Sequence, residues 1–146
     1  MAALTAPRDT LERASGFAQL HAETGLDSTQ FYKGGIVVLE VSSGKFKKGV
    51  TAATGAIVAI GRCEETVLTG TSNTRKISVR SGIFKYGNSS AGDLIAAVNI
   101  GADCYIVDDQ TVALTSNTGA RCKAGKVHGV DTDGGVYVAF SFPINP

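Results

Sequence analysis

Residues 136–142 alternate without a break. Val136, Val138, Phe140 and Phe142 fall on one side of an extended chain, and Tyr137, Ala139 and Ser141 on the other. Successive side chains of a β-strand point to opposite faces, so this segment can bury its apolar half only as a strand. The same texture recurs upstream, in 36–41, 50–54, 57–60, 64–68, 76–80, 83–86, 104–107, 111–114 and 126–130. Turn residues separate these runs at intervals of roughly ten residues, a rhythm that belongs to barrels and sandwiches. Gly55 and Gly61 interrupt two of them, and Ser81-Gly82 marks a bulge between 76–80 and 83–86. No stretch has the length of a crossover helix, which excludes a doubly wound α/β fold. The sequence therefore predicts an all-β fold, a small compact β-barrel or β-sandwich with short turns and at most one or two short helical turns. One such turn is expected at 93–98.

Residues 1–30 read differently. Leu4, Leu11, Phe17 and Leu20 are too sparse to line a helix face, although Asp9-Thr-Leu-Glu12 has the form of a capping box that could start one helical turn. The expected organisation is an N-terminal arm over 1–30, ordered only against another surface, and a β domain over 31–146.

The polar clusters between the strands have local explanations. Asp108-Asp109-Gln110 sits between two apolar runs of about four residues, where an aspartate bonds its own backbone two residues on. Read as an exposed hairpin turn, the pair stays ionised and cannot divide acid and base roles, which need two different environments. Asp131 and Asp133 echo a calcium loop, but Gly134 and the strand from Val136 make Asp133-Gly134 a hairpin turn with no later Glu ligand. Gly119–Lys126 has the wrong spacing for a phosphate loop, and Ser89 and Ser90 lack a nucleophile elbow.

Composition bears on function at this point. Net charge is +1, and Lys45, Lys47 and Lys48 around Phe46 are the nearest thing to a basic patch; they are read as a solvated loop, so nucleic acid is not expected as a partner. Three cysteines (Cys63, Cys104, Cys122) and two histidines (His21, His128) form no metal-ligand spacing, and neither a metal nor a cofactor is expected. No apolar run reaches the ~18 residues of a membrane helix, and the first residues lack the apolar core of a signal peptide. The thiols are expected to be free, in a reducing cytoplasm.

Five segments taken in order carry a resemblance: ALTAPRDT at 3–10, FYKGGIVVLEVSSGKFKKG at 31–49, RSGIFKYGNSSAGD at 80–93, CYIVDDQTVALTSNTG at 104–119 and AGKVHGVDTDGGVYVAF at 124–140. The series, covering most of residues 1–142, resembles the capsid decoration (cement) proteins encoded in tailed-phage and prophage head modules. The resemblance implies a non-enzymatic structural protein on the outer surface of the virion, made in the host cytoplasm. Its partners would be the major capsid protein and two further copies of itself, and it would stabilise the shell by bridging capsomers. The implied arm would use Leu4, Leu11 and Phe17 as apolar anchors and Arg8 and Arg13 as partners for capsid carboxylates. Self-association would draw on Tyr32, Tyr86, Tyr105 and Tyr137, since tyrosine suits an interface with one wet end. Two rival readings are a receptor-facing or fibre-like binding module of the virion, and a small thiol-dependent enzyme pairing Cys104 or Cys122 with His128.

Overall fold

A computed structural model describes residues 2–14 and 20–140, with Ala14 described by its backbone alone. Thirteen strands lie in these residues. In chain order they are β1 (Glu12–Ala14), β2 (Leu20–Thr24), β3 (Gln30–Phe31), β4 (Ile36–Glu40), β5 (Lys45–Lys48), β6 (Ile57–Cys63), β7 (Val67–Leu68), β8 (Lys76–Arg80), β9 (Gly82–Asn88), β10 (Asp103–Asp108), β11 (Thr111–Ala113), β12 (Lys123–Val130) and β13 (Val136–Phe140). The only helical elements among the described residues are two single 3₁₀ turns, Ala91–Asp93 and Ala97–Asn99. The all-β class expected from the sequence is the observed one.

Strands β9, β11, β10, β12 and β13 pair in that order, and β13 returns to β9, so these five close into a barrel. The closing ladder runs from Val136 opposite Tyr86 to Phe140 opposite Gly82. Closure leaves these strands without free edges, which removes a template for aggregation. A second sheet has the order β2-β8-β6-β4-β5. Its two outer strands meet at one end, where Gly25 bridges Phe46 and the Leu26 amide donates to the Phe46 carbonyl at 2.8 Å. Strands β3 and β7 form a separate two-stranded ribbon.

The alternation that announced β13 has the expected cause. Val136, Val138 and Phe140 enter the barrel core beside Phe84, Tyr86, Ile106, Val112 and Val127. Each such burial stabilises the fold by roughly 1.5–3 kcal/mol. Tyr86 meets Phe140 edge to face, with centroids 5.8 Å apart. A second core holds Phe31, Val37, Phe46, Ile60, Cys63, Ile77 and Val79.

Strand β4 lies between the two cores. Ile36 and Val38 belong to the first and Val37 to the second. A strand buried on both faces needs consecutive apolar residues instead of alternation, which accounts for the β-branched run at its start. Strand β6 serves both cores through a bulge: Val37 faces Gly61 and Val38 faces Ala59, leaving Ile60 as the extra residue. Ile57 therefore faces the first core, and Ile60 and Cys63 the second. The bulge requires glycine at position 61, where φ is +159° and a Cβ would run into the Arg80 carbonyl.

Several expectations are corrected. The described residues of the expected arm over 1–30 are ordered against the rest of this chain: β1 pairs with β9, and β2 pairs with β8 along its full length. The capping-box segment ends in strand β1, not a helical turn. What orders it is backbone pairing and polar contact with the barrel, which apolar spacing does not reveal. The Lys45–Lys48 segment is strand β5, with Lys47 bonded to Glu40 at 3.2 Å. Of the expected strand at 50–54, only Val50 pairs, in a single bridge to Asp108, and 64–68 shrinks to β7. The helical turn expected at 93–98 is replaced by the two flanking 3₁₀ turns.

Candidate functional site

The Asp108–Gln110 turn is a local turn, as its composition indicates: the Asp108 carboxylate accepts the Gln110 amide at 2.9 Å. It is not exposed, however. Asp109 has 1 % of its surface accessible and Asp108 is nearly as covered. The turn is tucked between the barrel and the β4–β5 hairpin, with the Asp109 carbonyl accepting the Ile36 amide at 2.8 Å. Burial holds the Asp109 carboxyl above the usual carboxylate range, against the opposing bond from the Leu4 amide.

The N-terminal residues cross this turn as a strap. Leu4 donates its amide to Asp109 Oδ1 at 2.8 Å, and Gln110 Nε2 donates to the Ala2 carbonyl at 2.6 Å. The Arg8 amide bonds the Lys33 carbonyl at 2.9 Å, and its guanidinium lies 5.5 Å from the Tyr86 ring centre. Thr10 is buried and its hydroxyl donates to the Gly34 carbonyl at 2.7 Å. The groove floor is Gly34-Gly35. Gly34 has φ +94°, and a Cβ there would collide with the Arg8 carbonyl and come 2.7 Å from Thr10 Oγ1. Of the proposed arm contacts, Leu4 and Arg8 are thus engaged within the chain. Leu11 is 51 % exposed, and Arg13 is exposed with its guanidinium 4.6 Å from the Tyr137 ring centre. Phe17 lies outside the described residues.

The four tyrosines separate. Tyr32, Tyr105 and Tyr137 are half-buried, each with surface left for contact. Tyr86 is wholly buried in the barrel core, so the expectation that it helps a second copy bind is corrected. The inward period of β9 decides this: Phe84 and Tyr86 point into the core while Lys85 points out.

The reactive candidates do not converge. Cys104 and Cys122 point into the core, with Cys122 Sγ 2.9 Å from the Ala53 carbonyl, whereas His128 is exposed between buried Val127 and Gly129. Burial pushes the Cys63 thiol up to about 11 and the Cys104 thiol up to about 12. Between Asp131 and Asp133, the place a calcium ion would need is taken by Lys85, whose Nζ lies 3.0 Å from one carboxylate and 2.5 Å from the other. Among the described residues, no three His, Cys, Asp or Glu side chains gather to hold a metal ion.

One surface element escaped the sequence reading. Residues 94–100 present Leu94, Val98 and Ile100 to solvent at 50, 92 and 55 % exposure. The loop is held from below. Ile95 is buried, and Asn88 bonds its amide and carbonyl at 3.0 and 2.8 Å. Asn99 Oδ1 accepts the Ala96 amide at 2.8 Å. At one end Asp93 accepts from Thr115 at 2.5 Å and pairs with Arg121 at 3.1 Å, and these two bonds hold its carboxyl below the ordinary range. The signal available in the sequence was the absence of any ionisable residue from Leu94 to Ala102. A depression of about 370 Å³ has Leu94 and Arg8 on its walls, so the loop and the strap share one side of the molecule.

Comparison with known proteins finds no matching family model, no similar curated protein and no similar solved structure.

Proposed function

We propose that this chain is a non-enzymatic structural protein of a tailed-phage virion, a decoration protein that binds the outer surface of the assembled capsid as a homotrimer and bridges capsomers. The observation that carries the reading is the hydrogen-bonded, uncharged loop at 94–100, with Val98 at 92 % exposure. Monomeric proteins scatter single apolar residues over their surfaces, but three exposed within the seven residues 94–100 are a concentration that fits a contact. A loop already fixed by Asn88, Asn99 and Asp93 loses little entropy when it docks. The resemblance of the turn-and-strand segments to decoration proteins supports the same reading. So does the use made of the polar clusters, which tie down turns and strap.

A ligand of the assembled lattice that ignores dissociated subunits stabilises the lattice by mass action. Three linked contacts raise the effective concentration of each. Within this reading Leu94, Val98 and Ile100 bury against neighbouring copies, and the half-buried Tyr32, Tyr105 and Tyr137 have surface left for the same purpose. Leu11 and Arg13, exposed at the end of the strap, face the shell. The test is to mix the protein with empty mature shells of the phage or prophage that encodes it. Co-sedimentation and a higher shell melting temperature support the reading; a protein that stays in the supernatant and leaves shell melting unchanged removes it.

A further inference from the structure

We propose that the 94–100 loop of one copy docks in the open cleft between β2 and the β4–β5 hairpin of the next copy, and that repeating this contact closes the ring. The pairing rests on the trimer proposed above and names the surface that receives the loop.

A ring of three identical chains is held head to tail, so the patch that docks and the patch that receives it are different parts of one chain. The loop supplies the docking patch, and a receiving patch must lie elsewhere. The depression of about 370 Å³ does not suit, because Leu94 is already on its wall; copies meeting there would bring loop to loop in a twofold contact. A cleft of about 320 Å³ beside Val41, Ala52 and Ala56 has the Lys47–Glu40 ion pair on its wall. A larger one, of about 500 Å³, has an apolar floor of Leu39, Phe46 and Ile60 and the exposed Leu20 and Ala22 on its rim. None of its lining residues belongs to the loop or holds the loop in place.

The larger cleft exists because the second sheet closes at one end only. The Gly25 amide donates to the Arg75 carbonyl at 3.1 Å across the β2–β8 ladder. Residues 21, 23 and 25 therefore aim their backbone groups at β8, and residues 20, 22 and 24 aim theirs away from it. On that outer edge Leu26 bonds Phe46, and the Thr24 amide is taken by the Glu23 carboxylate at 2.9 Å. Among the described residues no strand pairs with the same edge at Leu20 and Ala22. Unpaired edge groups beside an apolar floor can take both the backbone and the side chains of another chain.

The loop matches this cleft in character. It has no ionisable residue from Leu94 to Ala102, so docking buries no charge of its own against Leu39, Phe46 and Ile60. Val98 and Ile100 bring the aliphatic side chains. The polar wall of the cleft is His21 and Glu23, which sit opposite the core residues Val79 and Ile77 and so face inward. Asn99 spends its oxygen on the Ala96 amide, and its amino group is the donor the loop brings to that wall.

Light scattering on the full chain tests the pairing with two substitutions on the cleft rim, Leu20→Asp and Ala22→Arg. Both side chains are exposed, so melting is expected to stay near wild type, and a folding defect in one variant leaves the other to decide. The wild type is expected as a trimer and each rim variant as a folded monomer. The sharpest sample is an equimolar mixture of Leu20→Asp with Val98→Asp, followed up to about 1 mM so that a weak single contact is populated. Val98→Asp keeps an intact cleft and Leu20→Asp an intact loop. One working contact therefore forms per pair, and the mixture is expected to give a mixed dimer that neither variant forms alone. Rim variants that keep the wild-type mass, or a mixture no heavier than its components at that concentration, would overturn the pairing and leave a wild-type trimer standing. A wild type that is itself a monomer would remove the proposed trimer, and the pairing with it.

Discussion

Leu4 and Asp109 stand 105 residues apart in the chain and meet at 2.8 Å, backbone amide to carboxylate. The contact joins the first residues of the chain to the turn that starts β11. It gives the acidic pair at 108–109 a structural occupation: Asp108 closes the turn, and Asp109 anchors the strap that crosses it.

The groove under the strap tolerates no side chain at Gly34. Alanine there would adopt a left-handed backbone and press on the Arg8 carbonyl. Gly34→Ala is expected to destabilise the fold by about 2 kcal/mol, from backbone strain and lost strap contacts. Urea denaturation measures this, and the strap amides should lose more protection than the barrel amides.

The Lys85 cluster predicts behaviour at both ends of the pH scale. Asp131 and Asp133 are held below the ordinary aspartate value of 3.8, chiefly by hydrogen bonds from Lys85. Their stabilising contribution is present above 3.8 and is lost as pH falls through the depressed values. Lys85 is raised above 10.5, chiefly by Asp133 and then Asp131, so its contribution is present below 10.5 and lost as pH rises through the raised value. Lys85→Met should lower stability at neutral pH and flatten both limbs of a melting-temperature profile.

All three thiols are buried, and those of Cys63 and Cys104 are shifted upward to about 11 and about 12. The thiolate is the reactive species. An aromatic disulfide reagent at neutral pH is therefore expected to label none of them on the folded protein and all three in denaturant. Fast labelling of one thiol in the folded state would contradict this and favour the thiol-enzyme reading.

The parts of the fold legible in the sequence were those whose cause is local. Val136, Val138 and Phe140 alternate because a single core lies on one side of β13. The Asp108 turn was readable because its hydrogen bond spans two residues. Its burial was not, because the cover comes from segments far away in the chain, the N-terminal strap and the β4–β5 hairpin. Strands β1 and β2 were missed for a related reason. Their order comes from backbone pairing with β9 and β8, and a polar segment carries no periodic mark of a partner's edge. Tyr86 was misplaced because an outward Tyr and a core Tyr look alike until the strand's inward parity is known. In the 94–100 loop the sequence suggests a helical turn, and a lack of charge does not by itself distinguish a buried Leu94 or Val98 from an exposed one.

The central claim is that the molecule works through the apolar loop at 94–100, and Val98→Asp tests it most directly. Val98 belongs to neither core and is almost wholly in solvent, so the substitution should change folding stability by no more than the ~0.5 kcal/mol typical of surface changes. The decisive measurement is size-exclusion chromatography with light scattering on wild type and variant at equal concentration. The account predicts a trimer for the wild type and a folded monomer for Val98→Asp. Identical masses for the two folded proteins would contradict it.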